Sequence, residues 1–184
     1  MIIIEGPDNA GKTTLMNQLM EDFDLRKAPL KFDPHDKGDI TKEVVDFYDK
    51  VMDYMGNKTE DELINEVWDR VYFSELVYGP LKRGEVGLTQ EQALMVPKII
   101  QAHKPLVIMC MTNKANIINN LAERQQYVNY HEIGEMIDRY NNLLNEMEAF
   151  TPYFYRYDYK YNSYENVRRY VELYLMMREG GYGD

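Results

Sequence analysis

A short segment near the beginning of the sequence, residues 6–13, combines residue types that can bind phosphate. Gly6 and Gly11 enclose four residues and are followed by Lys12 and Thr13, which is the pattern G-x-x-x-x-G-K-[ST]. Glycine lets the backbone curl tightly, so that successive amides point inward as a nest for anionic oxygens. The lysine adds a mobile cation, and the threonine adds a hydroxyl that can ligate Mg²⁺. We therefore expect this segment, called the phosphate loop below, to hold the phosphates of ATP together with Mg²⁺.

The residues on both sides of the phosphate loop support this prediction. Ile2–Ile4 is an apolar run typical of a strand, and Thr14–Met20 has the composition of a helix start. The positive end of that helix would face the phosphates. The residues that we expect to contact the triphosphate are Gly6, Asn9, Ala10, Gly11, Lys12, Thr13 and Thr14.

The rest of the chain alternates between strand-like and helix-like stretches. The predicted strands are Met1–Glu5, Ala28–Asp33, Leu63–Asp69, Pro105–Thr112 and Tyr153–Tyr159. The predicted helices are Lys12–Asp22, Thr41–Met55, Gln90–Ala102 with Thr89 as its N-cap, Asn113–Arg124, His131–Phe150 and Ser163–Met177. Alternation of this kind predicts a single α/β domain over residues 1–184, with a parallel sheet covered by helices on both faces.

Several segments occur in an order that resembles one superfamily of enzymes. They are Ile4–Leu15, Trp68–Ser74 with Val77 and Tyr78, Lys104–Ile108, and Asn119–Gln126, where an arginine-bearing lid would begin. Together they resemble the thymidylate kinase and deoxynucleoside kinase superfamily of P-loop kinases. The run Ser74–Gly84 resembles a branch of it that is common in phages and some bacteria. The resemblance implies a five-stranded sheet of order 2-3-1-4-5 and a lid around residues 119–135.

The resemblance also implies roles in phosphoryl transfer for four residues. Lys12 would bind the transferring phosphate, and Asp69 would act near the acceptor oxygen or, with Thr13, in the metal shell. Arg70 would contact the transferring or acceptor phosphate. Position 9 is Asn, so the arginine that some relatives place in the phosphate loop is absent, and Arg124 in the lid becomes the candidate. Such a cation is needed because negative charge spreads over three oxygens during transfer.

The acceptor site carries the main departures from the superfamily pattern. Its predicted residues are Asp8, Lys31, Asp33, Phe47, Arg70, Tyr78 and Arg83. The acceptor segment Phe32-Asp33-Pro34 lacks the usual arginine, and the neighbouring Lys31 is a point charge that lacks a bidentate grip. Lys50 also stands where arginine is expected, and Gly79 stands where Gln is expected.

The overall composition limits the partners of the chain. A formal net charge of −10 without a basic block disfavours long nucleic acid as a ligand. The single cysteine, Cys110, excludes an internal disulfide framework. The start of the sequence has no signal-peptide pattern, and no apolar stretch is long enough to span a membrane. We therefore expect a cytoplasmic protein that acts on a small nucleotide. Methionines at helical spacing, Met136, Met147, Met176 and Met177, are expected to pack, either within the fold or at the interface of a homodimer.

These features favour transfer of the γ-phosphoryl group of ATP to a thymidylate-like deoxynucleoside monophosphate, a step of nucleotide biosynthesis. Three alternatives stay open at this point: a deoxynucleoside kinase, a kinase of a modified base in phage DNA, and a non-catalytic nucleotide-binding module. A GTPase is disfavoured because its N-K-x-D run is absent. The nearest match, Asn113–Asn116, has Asn where Asp is needed.

Overall fold

A five-stranded, all-parallel sheet forms the centre of the protein. The computed structural model describes residues 1–32, 40–121 and 128–179. The strands are β1 (Ile2–Glu5), β2 (Arg26–Lys27), β3 (Glu66–Asp69), β4 (Leu106–Cys110) and β5 (Phe154–Tyr157). They pair in the order β2-β3-β1-β4-β5, and every pairing is parallel. The fold class and strand order expected from the sequence are therefore confirmed.

Eight helices connect and cover the strands in the described part of the chain. They are α1 (Lys12–Phe23), α2 (Ile40–Gly56), α3 (Glu60–Leu63), α4 (Tyr72–Arg83), α5 (Gln90–Ala102), α6 (Lys114–Leu121), α7 (Ile133–Phe150) and α8 (Tyr164–Glu179). A 3₁₀ turn at Tyr130–Glu132 precedes α7. None of these helices, within the described ranges, has the length and apolar character needed to cross a membrane.

The sheet separates two apolar cores, as doubly covered strands require. Alternate residues of β1 point to opposite faces, so that Ile3 joins one core and Ile2 and Ile4 join the other. All four residues of β1 and all five of β4 are buried. Because parallel strands end at the same edge of a sheet, the residues that follow β1, β3, β4 and β5 are brought together there.

The second strand is displaced from its predicted position. We expected Ala28–Asp33, whereas the strand is only Arg26–Lys27, extended by one hydrogen bond from the Ala28 amide to the Val67 carbonyl at 2.9 Å. Pro29 follows immediately and has no N–H to donate, which ends the ladder. The predicted third strand is also too long, because its first residue, Leu63, ends the short helix α3.

Helix α4 was not predicted, although α5 was. The α5 prediction is confirmed together with its cap, since the Thr89 hydroxyl accepts a hydrogen bond from the Gln92 amide at 3.1 Å. In α4 the adjacent Gly79 and Pro80 disfavour a helix locally. Burial of the face that carries Phe73 and Val77 overrides that weak local preference.

Candidate active site

The phosphate loop has the backbone conformation that its glycines make accessible. Gly6 and Gly11 have φ values of +132° and +84°, and Asn9 has φ +62°. A Cβ atom at Gly6 would lie 2.0 Å from the Cys110 carbonyl oxygen, so only glycine fits against β4 there. Gly11 caps α1 and has no side chain to satisfy the first helical amides. Those amides are therefore available to an anion.

Lys12 contributes a buried cation to the phosphate loop. Its side chain is only 8% exposed, and its ammonium donates a hydrogen bond to the Pro7 carbonyl oxygen. Burial lowers the pKa of Lys12 to about 8, and the positive charge of Arg70 adds to this effect. The carboxylates of Asp8 and Asp69 act in the opposite direction. A lysine in this setting gains most when a polyphosphate arrives to neutralise it.

Asp8, Arg70 and Tyr78 form a cluster on the β3 side of the phosphate loop. The Nη2 atom of Arg70 lies 2.5 Å from Asp8 Oδ1. The same atom is 3.2 Å from both the Gly6 carbonyl oxygen and the Tyr78 hydroxyl. The guanidinium also lies over the Tyr78 ring, 5.0 Å from its centroid. Although burial opposes the change, Arg70 and Lys12 hold the pKa of Asp8 below its usual value. The structure thus brings together the sequence-predicted residues Asp8, Lys12, Arg70 and Tyr78.

Arg70 reaches this cluster from an unusual backbone conformation. Its φ of +65° is in the left-handed region, which residues with a Cβ atom rarely adopt. The Arg70 amide donates to the Ile4 carbonyl oxygen at 3.0 Å, which ties the end of β3 to β1. The half-buried Asp69 directly precedes it, in register with Ile4.

Glu5 is part of the site and was missed as a functional candidate. It is fully buried at the end of β1, where its two oxygens accept hydrogen bonds from the Val71 amide at 2.9 Å and the Ser74 hydroxyl at 2.6 Å. Burial raises the pKa of Glu5, although both of these hydrogen bonds oppose the rise. The signal in the sequence was a carboxylate that ends an otherwise apolar strand immediately before Gly6.

A cavity of about 210 Å³ lies on the other side of the phosphate loop, toward β5. Its lining residues are Asn9, Gly11, Thr14, Leu15, Tyr157 and Tyr159. The Tyr159 ring packs so closely on Gly11 that an added Cβ would lie 3.3 Å from its Cδ1 atom. Tyr157 and Tyr159 lie in the segment Tyr153–Tyr159, for which the sequence predicts only a strand, so this part of the site was also missed.

Of the other predicted acceptor residues, Arg83 and Phe47 make different contacts in the described part of the chain. Arg83 is at the far end of α4, roughly 18 Å of helix from Arg70, and is ion-paired with the buried Glu75. Phe47 is buried and packs against Phe32, with ring centroids 5.5 Å apart. Lys31 is exposed. Asp33, Arg124 and the part of the predicted lid at 122–127 lie outside the described residues.

The residues present fit a magnesium ion that arrives with a nucleotide. No group of three or more His, Cys, Asp or Glu side chains within the described ranges could hold a metal ion. Thr13 is exposed at the first turn of α1, and Asp69 is close enough to Lys12 to affect its pKa. One hydroxyl and one carboxylate suit Mg²⁺ when phosphate oxygens and water supply the other ligands.

Comparison with known proteins shows the fold of the chain. No protein-family model matches it, and no curated protein sequence does. The solved YorR protein from Bacillus subtilis, in complex with phosphorylated GDP, matches with a TM-score of 0.70 at 20% identity over 97% of each chain. Deoxyadenosine kinase from M. mycoides, with dCMP and a flexible dCDP bound, gives 0.57 at 14% identity over 97% of this chain and 98% of that one.

The same deoxyadenosine kinase with bound dCTP gives a TM-score of 0.56 at 15% identity, covering 98% of this chain and 100% of that one. These structures match nearly end to end, so the likeness concerns the whole architecture. The chain therefore has the three-layer α/β fold of P-loop nucleotide kinases.

Proposed function

We propose that the protein transfers the γ-phosphoryl group of ATP to a thymidylate-like deoxynucleoside monophosphate. One observation supports this most directly: the phosphate loop separates two chemically different surfaces. The tyrosine-lined cavity is on the β5 side, and the Asp8–Arg70–Tyr78 cluster is on the β3 side. A nucleotide hydrolase needs only the first surface, whereas a transferase also needs a place for an acceptor.

The donor would bind along the phosphate loop and α1. Its phosphates would accept hydrogen bonds from the amides that follow Gly11, with the Lys12 ammonium between the β- and γ-phosphates. Its base would enter the adjacent cavity, where the half-buried Tyr159 ring offers an apolar surface for stacking. When bound, Mg²⁺ would neutralise phosphate charge beside Thr13 and Asp69.

The acceptor would bind on the side of Arg70. Its guanidinium can hold a phosphate through two parallel hydrogen bonds, which is the geometry that arginine favours. The Asp8 carboxylate would accept a hydrogen bond from the 3′-hydroxyl of the sugar, and Tyr78 would wall the pocket. The preference for a deoxyribose comes from the superfamily resemblance.

The reaction balances without a covalent enzyme intermediate. An oxygen of the acceptor phosphate forms a bond to the γ-phosphorus, while the bond from that phosphorus to the bridging oxygen breaks. ADP leaves with the bridging oxygen, and a deoxynucleoside diphosphate forms. Lys12 and Arg70 stabilise the charge that develops on the transferring oxygens. Arg124 is proposed to add a third cation from the lid.

A deoxynucleoside kinase is the second candidate, and the placement of two cations favours it. Arg83 is ion-paired with Glu75 toward the other end of α4, and Lys31 is exposed, so the described structure shows neither cation converging with Arg70. Several cations around one point would bind the phosphate of a monophosphate acceptor. A nucleoside acceptor instead needs a carboxylate that takes the proton of its 5′-hydroxyl. Asp69 is the candidate for that role, because it directly precedes Arg70.

The experiment is an acceptor screen that measures ADP release from Mg-ATP. The acceptors are the four common deoxynucleoside monophosphates, hydroxymethyl-dUMP, the matching nucleosides and duplex DNA. We expect turnover with a monophosphate, and turnover with nucleosides alone would select the second candidate. Phosphorylated DNA would select the modified-base kinase, and ATP binding without turnover would indicate a non-catalytic module.

Two lysine variants, measured in the same screen, test whether the phosphate loop is the site of turnover. Lys12→Ala should abolish turnover with every acceptor because it removes the loop cation. The matched control, Lys98→Ala, removes an exposed lysine on α5 and should leave turnover unchanged. Full activity in Lys12→Ala would refute the assignment of the phosphate loop. The cytoplasmic location and the homodimer stay predictions that this screen leaves open.

A further inference from the structure

Glu5 is a buried acid for which the proposed reaction has no direct use. It is fully buried beside the phosphate loop, so it cannot contact an acceptor. A buried carboxylate is costly unless hydrogen bonds compensate it. Glu5 accepts two hydrogen bonds, and both come from the start of α4: one from the Val71 amide directly before the helix and one from the Ser74 hydroxyl in its first turn.

The start of α4 is held by this carboxylate through two hydrogen bonds. The residue at the cap position is Val71, whose apolar side chain cannot accept a hydrogen bond. Glu5, on the neighbouring strand, instead accepts from the backbone amide of Val71 and from the Ser74 hydroxyl, and its carboxylate is at the positive end of the helix. The position at which α4 begins is therefore set by β1.

Arg70 directly precedes this cap and is held by the same strand. Its left-handed φ of +65° is a strained conformation that persists only where the surroundings enforce it. The Ile4 carbonyl oxygen accepts from the Arg70 amide, and Glu5 accepts from the next amide along the chain. Two consecutive residues of β1 thus hold two consecutive amides in place.

A second line of contacts leads from Glu5 to the opposite side of Arg70. The Ser74 hydroxyl lies 2.6 Å from Glu5 Oε2 and 3.1 Å from the Tyr140 hydroxyl. The Tyr140 ring packs edge-on against Tyr78, with centroids 6.2 Å apart. The Tyr78 hydroxyl in turn lies 3.2 Å from Arg70 Nη2. Glu5 is therefore connected to both the backbone and the guanidinium of Arg70.

We propose that Glu5 is a positioning residue for phosphoryl transfer: it fixes the start of α4 and so keeps the Arg70 guanidinium on Asp8 and the phosphate loop. This inference rests on the function proposed above, since it gives Arg70 its role. Glu5 acts through Arg70 and does not touch a substrate. Its loss should therefore slow the chemical step and leave the binding of ATP intact.

The kinetic test uses Glu5→Gln, which keeps the shape of the side chain and removes its charge. We expect kcat to fall by about 10²-fold, the loss typical of a misplaced active-site group, while the KM for ATP is unchanged. In an Arg70→Ala background the same substitution should cause no further loss, because no guanidinium is left to position. A full additional loss in that background would overturn the proposal.

A matched control separates positioning from general destabilisation. Thr89→Ala removes the N-cap of α5, away from the site, and should lower the melting temperature by about 2–4 °C without changing kcat. An equal loss of kcat in Thr89→Ala would show that weakening the start of any helix impairs the enzyme, and it would contradict a specific role for Glu5.

A crystal structure of Glu5→Gln tests the inference even if no acceptor is found, so that its failure is distinct from failure of the proposed function. The Arg70 side chain should leave Asp8, and its φ should relax to a negative value. An Arg70 that stays within hydrogen-bond distance of Asp8 would refute the proposal. Should Glu5→Gln not fold, Ser74→Ala removes one donor to the same carboxylate, and the same displacement with about a tenfold loss of kcat is expected.

Discussion

At the scale of single residues, Lys12 shows a conflict between stability and ligand binding. Its ammonium is buried beside a second cation, Arg70, and its pKa in the folded protein is about 8 compared with 10.5 for an ordinary lysine. The folded state therefore disfavours the charged form that a triphosphate would need. Active sites often retain such costs because the ligand removes them.

The substitution Lys12→Met should consequently stabilise the protein while it abolishes turnover. Methionine has a similar length and no charge to desolvate. The pKa difference corresponds to a gain of up to about 3 kcal/mol in the free energy of unfolding at pH 7. The measurement is chemical denaturation of both proteins in parallel with the turnover assay.

The pH dependence gives this prediction a definite sign. The pKa of Lys12 is lower in the folded state, so the unfolded chain binds more protons between pH 8 and 10.5. Below pH 8 the lysine is charged in both states, and the full cost of its burial lowers the free energy of unfolding of the wild type. The stability advantage of Lys12→Met should be constant below pH 8 and shrink toward pH 10.5. An advantage that is absent at pH 7, or that grows at high pH, would contradict the burial argument.

Residue spacing was sufficient to locate this lysine but not Glu5. The phosphate loop is local in sequence, so its pattern specifies Lys12 and Thr13 directly. The partners of Glu5, Val71 and Ser74, are 66 and 69 residues away. Contacts over such distances depend on which strands become neighbours, and a single sequence does not display that.

At the scale of elements, α4 is held by buried polar contacts around Gly79. Glu75 Oε1 is ion-paired with Arg83 and also accepts a hydrogen bond from the Gly87 amide at 2.7 Å. These contacts fasten the chain that leaves α4 to the body of the helix. A Cβ atom at Gly79 would lie 2.5 Å from that carboxylate oxygen and 2.8 Å from the Glu85 carbonyl oxygen.

The substitution Gly79→Ala should therefore destabilise the protein, although alanine is the better helix former. Both close atoms are constrained, one by an ion pair and the other because it belongs to the backbone. We expect the clash to cost about 1–3 kcal/mol, which exceeds the gain in helix propensity. Thermal unfolding of the variant measures the difference.

The matched control for this variant is Gly56→Ala at the end of α2. A Cβ atom there would meet only the Ile99 Cδ1 atom at 4.0 Å, an ordinary contact. This variant should be neutral or more stable by about 0.5 kcal/mol. If both variants change stability alike, crowding at Gly79 is not the cause.

At the scale of the whole molecule, the sequence predicted the central strands of the sheet correctly and the edge strand β2 less well. The apolar runs Ile2–Ile4 in β1 and Leu106–Cys110 in β4 are typical of central strands, and the structure buries both strands completely. The edge strand β2 has two exposed residues, so no apolar pattern marked its position. The sequence pattern therefore identified the central strands and the edge strand β5, and it misplaced β2, whose two residues are exposed.

Both cores share one sheet, which predicts that the described fold unfolds as one cooperative unit. Ile100 on α5 is completely buried in one core, and Ile108 on β4 is completely buried in the other. Each Ile→Val substitution should cost about 1 kcal/mol through a lost methyl group. Because the side chains lie on opposite faces of the sheet, the two costs should add within about 0.5 kcal/mol.

Calorimetry and fluorescence of the two single variants and the double variant test the prediction of a single domain. The wild type and all variants should show one transition, with coincident midpoints for the two probes. Trp68, completely buried in the same core as Ile100, reports on one face, whereas calorimetry reports on the entire chain. Two separated transitions, or an Ile108→Val variant that shifts only the calorimetric signal, would show that the two faces of the sheet unfold independently.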